Sequence, residues 1–224
     1  MSIWLILTLI FAVLEAFAVS RNIKRLEYLA KPAVIVCLFL WLYTSRASTG
    51  LQGNVLWFGM GILLSLVGDV LLLISLERYF LPGLIAFLFV HVCYITGFRD
   101  AATDISGWSL IWLAFIAINI SRLIRRIVQA MRLNGADKLV LPVVVYGIVI
   151  SVMLYAAMST IYDQRWQTSA AFFVSLGAIL FVASDTILAW MKFVSPVRNG
   201  RVWNIVLYDL GQIGLIAGVI SQFG

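Results

Sequence analysis

Two aspartates lie inside apolar runs of this chain: Asp69 in Gly61–Leu76 and Asp185 in Ala170–Trp190, each the only formal charge of its run. On insertion scales a carboxylate in a bilayer core costs roughly 2.5–3.5 kcal/mol, so the pair costs about 5–7 kcal/mol. Paired carboxyl groups suit acid–base chemistry, one holding a proton to give and the other an anion that meets developing positive charge. The structural alternative is a hydrogen bond or ion pair that pins helices together.

The elements that must position them follow from composition. Of 224 residues, 63% are hydrophobic and only 12% charged, and the mean hydropathy is +1.04. Soluble domains carry about a quarter charged residues, so this is an all-α polytopic membrane protein. Eight apolar runs are predicted as spans: Ile3–Val19, Leu29–Tyr43, Val55–Leu76, Phe80–Phe98, Trp108–Leu123, Leu139–Met158, Thr168–Trp190 and Val202–Ile220. They use nearly the whole chain, so residues 1–224 form one transmembrane domain. The first run lacks a basic leader, and although Ala16-Phe17-Ala18 faintly resembles a cleavage site, it is read as a retained span.

Charge placement orients the eight spans. Connections 1, 3, 5 and 7 and their flanks hold thirteen of the sixteen Lys and Arg residues, whereas connections 2, 4 and 6 hold only Arg46, Arg99 and Arg165. The positive-inside rule then puts the odd connections in the cytoplasm and both termini on the other side, as expected for a multi-pass protein of a bacterial inner (cell) membrane. The net charge of +6 is therefore topogenic and does not imply a nucleic-acid partner. Pro32, Pro82, Pro142 and Pro196 are expected near the cytoplasmic starts of even-numbered helices, where a missing N–H breaks no ladder bond. Cys37 and Cys93 are expected as small core residues.

Topology converts sequence position into depth. At 1.5 Å per residue Asp69 lies roughly 10 Å and Asp185 roughly 8 Å from the cytoplasmic helix ends, at one level. Glu15, Asn119, Tyr146, Tyr208 and Asp209 fall in the same layer, with Lys31 at its mouth and His91, Tyr94 and Gln212 deeper. Polar residues from so many helices predict one internal cavity. Individually they have plainer readings: Glu15 and Lys31 suit an ion pair with each other, His91 a hydrogen-bonded packing role, Asn119 a helix interface, and Asp209 a snorkelling or helix-facing position. No metal site is expected, since there is no HExxH, no CxxC and a single histidine. No cofactor is expected either, and Ser184 beside Asp185 does not make a triad, because i,i+1 neighbours on a helix diverge.

Several stretches carry a family pattern: Gly68-Asp69-Val70-Leu71-Leu72, Phe87-Leu88-Phe89-Val90-His91-Val92-Cys93-Tyr94, Gly177–Phe181 running on to Ser184-Asp185-Thr186-Ile187-Leu188-Ala189, and Tyr208 with Gln212. With Lys31-Pro32 opening the second helix and Pro142 with Tyr146 on the sixth, the chain resembles the YhhN-like lysoplasmalogenase family. It departs at Asp209, where an uncharged residue is expected. The resemblance implies an eight-helix membrane hydrolase that cleaves the vinyl ether of lysoplasmalogens to a fatty aldehyde and glycerophospho-ethanolamine or -choline. It matches Asp69 and Asp185 to the acidic positions expected to carry catalysis.

That reaction needs an acid to protonate the alkene carbon and an anion to stabilise the oxocarbenium ion, as paired carboxylates do in glycosidases by analogy. Which aspartate takes which role is open at this point. Lys31 would hold the substrate phosphate, Tyr146, Tyr208 and Gln212 would bind water or the glycerol oxygens, and Glu15, Asn119 and His91 complete the expected substrate-binding set. The partners would be a lysophospholipid and water. A weak echo links the halves, GDVLLL on helix 3 with SDTILA on helix 7, and Lys31-Pro32 with Lys138 and Pro142. Such a parallel four-helix repeat would turn the aspartates face to face. A proton-coupled carrier using Asp69, Asp185 and His91 as a relay, or a non-catalytic lipid-binding scaffold, remains open on the same residues.

Overall fold

The computed structural model describes residues 2–99 and 107–224. Among them are eight long helices: α1 (Ile3–Ser20), α2 (Lys24–Ser45), α3 (Gly53–Ile74), α4 (Phe80–Gly97), α5 (Gly107–Leu133), α6 (Val140–Ser159), α7 (Thr168–Phe193) and α8 (Gly200–Phe223). All eight are long and apolar enough to cross a membrane, and no strand occurs among the described residues. The chain is a multi-pass integral membrane protein whose short odd connections gather the basic residues at one end of the bundle.

Helices outrun the apolar windows at that end. α5 continues ten residues past Leu123 to Leu133, and α2 starts at Lys24, five residues before the apolar run opens at Leu29. Arg122, Arg125, Arg126 and Arg132 thus ride on a helix rather than in a loop. Helical hydrogen bonding persists into the polar interface, where long basic side chains reach water while their stems stay on the helix. The same extension overturns one expectation: Pro32 lies inside α2, not at its start, so its missing N–H does remove a ladder bond. Pro82 and Pro142 sit in the first turns of α4 and α6, and Pro196 precedes α8, as expected. Cys37 and Cys93 are buried free thiols.

Close backbone approach joins α7 to α8. A Cβ on Gly211 would lie 2.9 Å from Phe181 N and 3.0 Å from Gly177 O, and one on Gly177 would lie 2.7 Å from Gly211 O. These glycines, with Gly214 and Gly218, let the two backbones pack face to face as small residues do in membrane bundles. On α3 and α4, Gly61, Gly68 and Gly97 instead receive aromatic knobs, the rings of Tyr94, Phe87 and Phe58. α5 is outermost, burying only Ser109, Ile116, Ile127 and Met131.

The packing order follows the four-helix echo. α1–α2, α2–α3 and α3–α4 neighbour one another as α5–α6, α6–α7 and α7–α8 do, and across the halves α2 meets α8 as α6 meets α4. α1 breaks the pattern by also packing on α8. The main core, with Leu38, Leu42, Phe58, Ile62, Tyr94, Met153, Phe181 and Leu215, fills the bundle. A smaller cluster of Phe80, Ile127, Met131, Val143 and Phe193 closes the basic end of the α4–α7 side.

Candidate active site

A cavity of about 350 Å³ opens at the basic end, lined by residues of α2 through α8. That volume lies within the range of small-molecule sites. Asp69 and Asp185 both line it, with Lys31, Tyr146 and Tyr208. Its walls are otherwise mainly apolar, among them Leu72, Leu84, Phe87, Ile124, Ile127 and Ile150.

Asp69 is held from both sides. Lys31 Nζ lies 3.1 Å from its Oδ1, and Tyr208 Oη donates to its Oδ2 at 2.7 Å. Gln212 donates to Tyr208 Oη at 3.3 Å and accepts from Tyr94 Oη at 2.7 Å. Asp69 is thus a buried carboxyl group fixed at both oxygens, one beside a cation and one by a hydroxyl.

Asp185 stands differently. Tyr146 Oη donates to its Oδ2 in a very short hydrogen bond, and His91 Nε2 lies 2.9 Å from the same hydroxyl and 3.8 Å from Asp185 Oδ2. Because Tyr146 donates to Asp185, His91 donates to Tyr146, which assigns the ring proton to Nε2. His91 is fully buried and its Nδ1 has no partner. Asp185 is the more open carboxylate, its side chain 17% exposed against 3% for Asp69.

The two clusters answer one another across the repeat. Each aspartate is held by a side chain from the preceding helix of its own half, Lys31 of α2 or Tyr146 of α6. Each is also approached from the last helix of the other half, by Tyr208 of α8 or His91 of α4. Between them stands an aromatic wall in which Phe181 packs edge-on against both Tyr208 and His91, at 5.2 and 4.9 Å between ring centroids. The same geometry gives one carboxyl group paired with Lys31 and another held by the Tyr146 hydroxyl, both facing one mainly apolar cavity.

Not every expected residue joins them. Asn119 is exposed on the outer face of α5, its amide donating back to Phe115 O at 2.8 Å. Its azimuth on α5 points away from the cavity. Glu15 and Gln212 are fully buried behind the cavity wall. Lys31 pairs with Glu15 at 3.4 Å as well as with Asp69, so it does not stand free at the mouth. Asp209 faces the interior with neither oxygen partnered. Four residues were missed: Ser184 and Asn204 clip α7 to α8 through reciprocal hydrogen bonds of 2.7–3.0 Å beside Asp185, and Arg201 bonds Glu27 at 2.7 Å at the mouth. Helical spacing from Lys31 and Tyr208 points to three of them, since Lys24, Glu27 and Lys31, like Arg201, Asn204 and Tyr208, recur at three and four, whereas Ser184 is marked only by its place beside Asp185.

The sequence profile of the YhhN family matches residues 26–219, from the first turn of α2 almost to the end of α8. The chain belongs to the YhhN family. Among curated relatives, it is similar to the lysoplasmalogenase TMEM86B of Homo sapiens, 26% identical over 192 residues, which cover 83% of this chain and 71% of that protein. The mouse (Mus musculus) protein of that name is 29% identical over 198 residues, 88% of this chain and 76% of the relative. A Mycobacterium tuberculosis lysoplasmalogenase is 29% identical over 139 residues, 62% of this chain and 50% of that protein. No solved structure matches the chain. The YhhN match spans every residue of both aspartate clusters.

Proposed function

We propose that this YhhN protein hydrolyses the vinyl ether bond of lysoplasmalogens, releasing a fatty aldehyde and a glycerophospho-alcohol, with Asp185 as acid and base and Asp69 as the fixed anion. The observation that carries this assignment is the asymmetry of two carboxylates on one cavity: Asp69 paired with Lys31, Asp185 bound by Tyr146 and facing the cavity. Relatives named lysoplasmalogenase support the substrate class.

Asp185, protonated on Oδ1, transfers that proton to the alkene carbon distant from the ether oxygen. Its Oδ2 keeps the hydrogen bond from Tyr146, which strengthens as charge arrives on the carboxylate. The adjacent carbon becomes an oxocarbenium ion. Asp69 and its oriented donors supply a fixed negative pole in a low-dielectric wall, so no reorganisation is needed as the cation forms. Water then adds to that carbon while Asp185 takes its proton back, giving a hemiacetal. Collapse moves the hemiacetal hydroxyl proton to a base, breaks the carbon–oxygen bond and protonates the leaving glycerol oxygen. One water is consumed overall. The apolar walls of α4, α5 and α6 suit the alkenyl chain.

The proposal extends to location: a bacterial inner (cell) membrane with the basic end toward the cytoplasm, supported by the division of Lys and Arg between connections. The test is hydrolysis in deuterated water. Protonation at carbon predicts aldehyde carrying one deuterium on the carbon next to its carbonyl, and no product from the saturated alkyl ether. Aldehyde without deuterium, or cleavage of the alkyl ether at a similar rate, contradicts the mechanism.

A further inference from the structure

The mouth of the cavity carries charges that the reaction does not use. Lys24, Glu27 and Arg201 line it together with Asn204. Glu27 is almost fully buried, whereas the Arg201 side chain is half exposed, and the two are joined at 2.7 Å. Lys24 is exposed beside them. On α2, Lys24, Glu27 and Lys31 recur at three and four residues, and on α8 Arg201, Asn204 and Tyr208 do the same. Two polar ladders therefore descend one helix face each and converge on Asp69, which both Lys31 and Tyr208 contact.

We propose that Lys24, Glu27 and Arg201 form the seat of a zwitterionic phospho-headgroup and select ethanolamine; this rests on the lysoplasmalogenase reading of the site. An extended glycerophosphate with its vinyl ether at Asp185 carries its phosphate roughly one to two helical turns, about 5–11 Å, toward the mouth. Measured along the ladders, that is the level of Arg201 and Lys24. The guanidinium suits a phosphodiester with two parallel N–H donors, and the lysine adds a point charge. Taking Arg201 strips Glu27 of its partner, and a buried carboxylate must then be paired again. A headgroup ammonium does so. The zwitterion replaces the resident pair ion for ion, phosphate on Arg201 and ammonium on Glu27.

Headgroup choice follows from the donors. Ethanolamine presents three N–H groups to Glu27, choline offers charge without a donor, and a headgroup lacking an amine leaves Glu27 unpaired. Lys31, held between Glu15 and Asp69, stays with the reacting end.

The experiment uses purified full-length protein in detergent, reading both kcat/KM on 1-alkenyl substrates and equilibrium binding of the non-cleavable 1-alkyl counterparts. Each series carries ethanolamine, choline or the bare phosphate monoester. Wild type should favour ethanolamine over the bare phosphate by about tenfold or more in both readouts. Glu27→Gln should bring the three within about threefold by weakening ethanolamine and tightening the bare phosphate. Arg201→Gln and the surface variant Lys24→Gln should weaken all three, Arg201→Gln by about tenfold, chiefly in KM. Survival of the wild-type order in Glu27→Gln, or affinities within twofold of wild type in Arg201→Gln, overturns the seat. Ordered binding of the alkyl ethers without aldehyde from the alkenyl ones sinks the hydrolase reading and leaves the seat standing. Equal turnover and binding of all three headgroups does the reverse.

Discussion

Replacing Tyr146 by Phe isolates the group that separates Asp185 from Asp69. The change removes one hydroxyl and with it two hydrogen bonds, the short one to Asp185 Oδ2 and the 2.9 Å contact with His91 Nε2. As Asp185 gives up its proton, the bond from Tyr146 changes from one to a neutral acid into one to a carboxylate. A hydrogen bond to a charged group contributes about 1.5–3 kcal/mol, against about 1 kcal/mol for a neutral one. The difference, about 0.5–2 kcal/mol, is felt only at the transition state, so kcat should fall by roughly 2- to 30-fold while KM changes little, each 1.4 kcal/mol being about tenfold. The ground state loses stability separately, because His91 Nδ1 already lacks a partner and Nε2 would join it, at about 1–3 kcal/mol for the unpaired group. Adding His91→Leu to Tyr146→Phe removes that orphan and should recover part of the thermal midpoint without recovering kcat. Steady-state aldehyde release and thermal unfolding in detergent read the two effects apart. A Tyr146→Phe enzyme with kcat equal to wild type, or a loss confined to KM, would refute the role given to this hydrogen bond.

Other outcomes follow from the same geometry. Gly211→Ala sets a methyl group against Phe181 N and Gly177 O at 2.9 and 3.0 Å, both backbone atoms, so α7 and α8 must part; overpacking of about 1–3 kcal/mol should lower the unfolding midpoint, and activity should fall because Tyr208 lies one turn away. Asp209→Leu keeps the branched shape while removing two buried oxygens that have no partner, and should raise the midpoint by the equivalent of about 1–3 kcal/mol. Between α6 and α7, hydrogen bonds from Arg165 to both Asp163 oxygens hold that carboxyl below the ordinary aspartate range. Its contribution is therefore present above the ordinary carboxyl pKa and lost as pH falls through the lowered one; acid titration of the unfolding midpoint should show a smaller low-pH loss in Asp163→Asn than in wild type.

The bundle was legible in the sequence because a bilayer core demands about twenty apolar residues per helix and because basic residues mark one set of ends. All eight runs became helices, and the starts at Ile3, Phe80 and Thr168 coincide with the predicted ones. Ends were less legible where α2 and α5 run on into the polar interface, since hydropathy reports the membrane and not the hydrogen-bonded ladder. The level of the site was also readable, since counting residues along a helix measures depth. Rotation about the helix axis was not, and that separates Tyr146, which reaches Asp185, from Asn119, which faces outward on α5. The proposed division of labour between the aspartates was not legible because it rests on partners far apart in the chain: Lys31 and Tyr208 for Asp69, Tyr146 and His91 for Asp185. Asp209 remained anomalous throughout, an unpaired carboxylate at a position where the resemblance implied an uncharged residue.

Aldehyde release from a lysoplasmalogen by purified wild type, Asp185→Asn and Asp69→Asn, each shown to be folded, tests the central assignment most directly. General acid catalysis contributes about 10²- to 10⁴-fold, so Asp185→Asn should lose at least about a hundredfold in kcat while still binding the alkyl ether analogue. Asp69→Asn should lose turnover as well, since Lys31 would be left without its main counter-ion and the cation without its anion. Wild type that releases no aldehyde, or an Asp185→Asn protein that keeps turnover within threefold of wild type, would contradict the account.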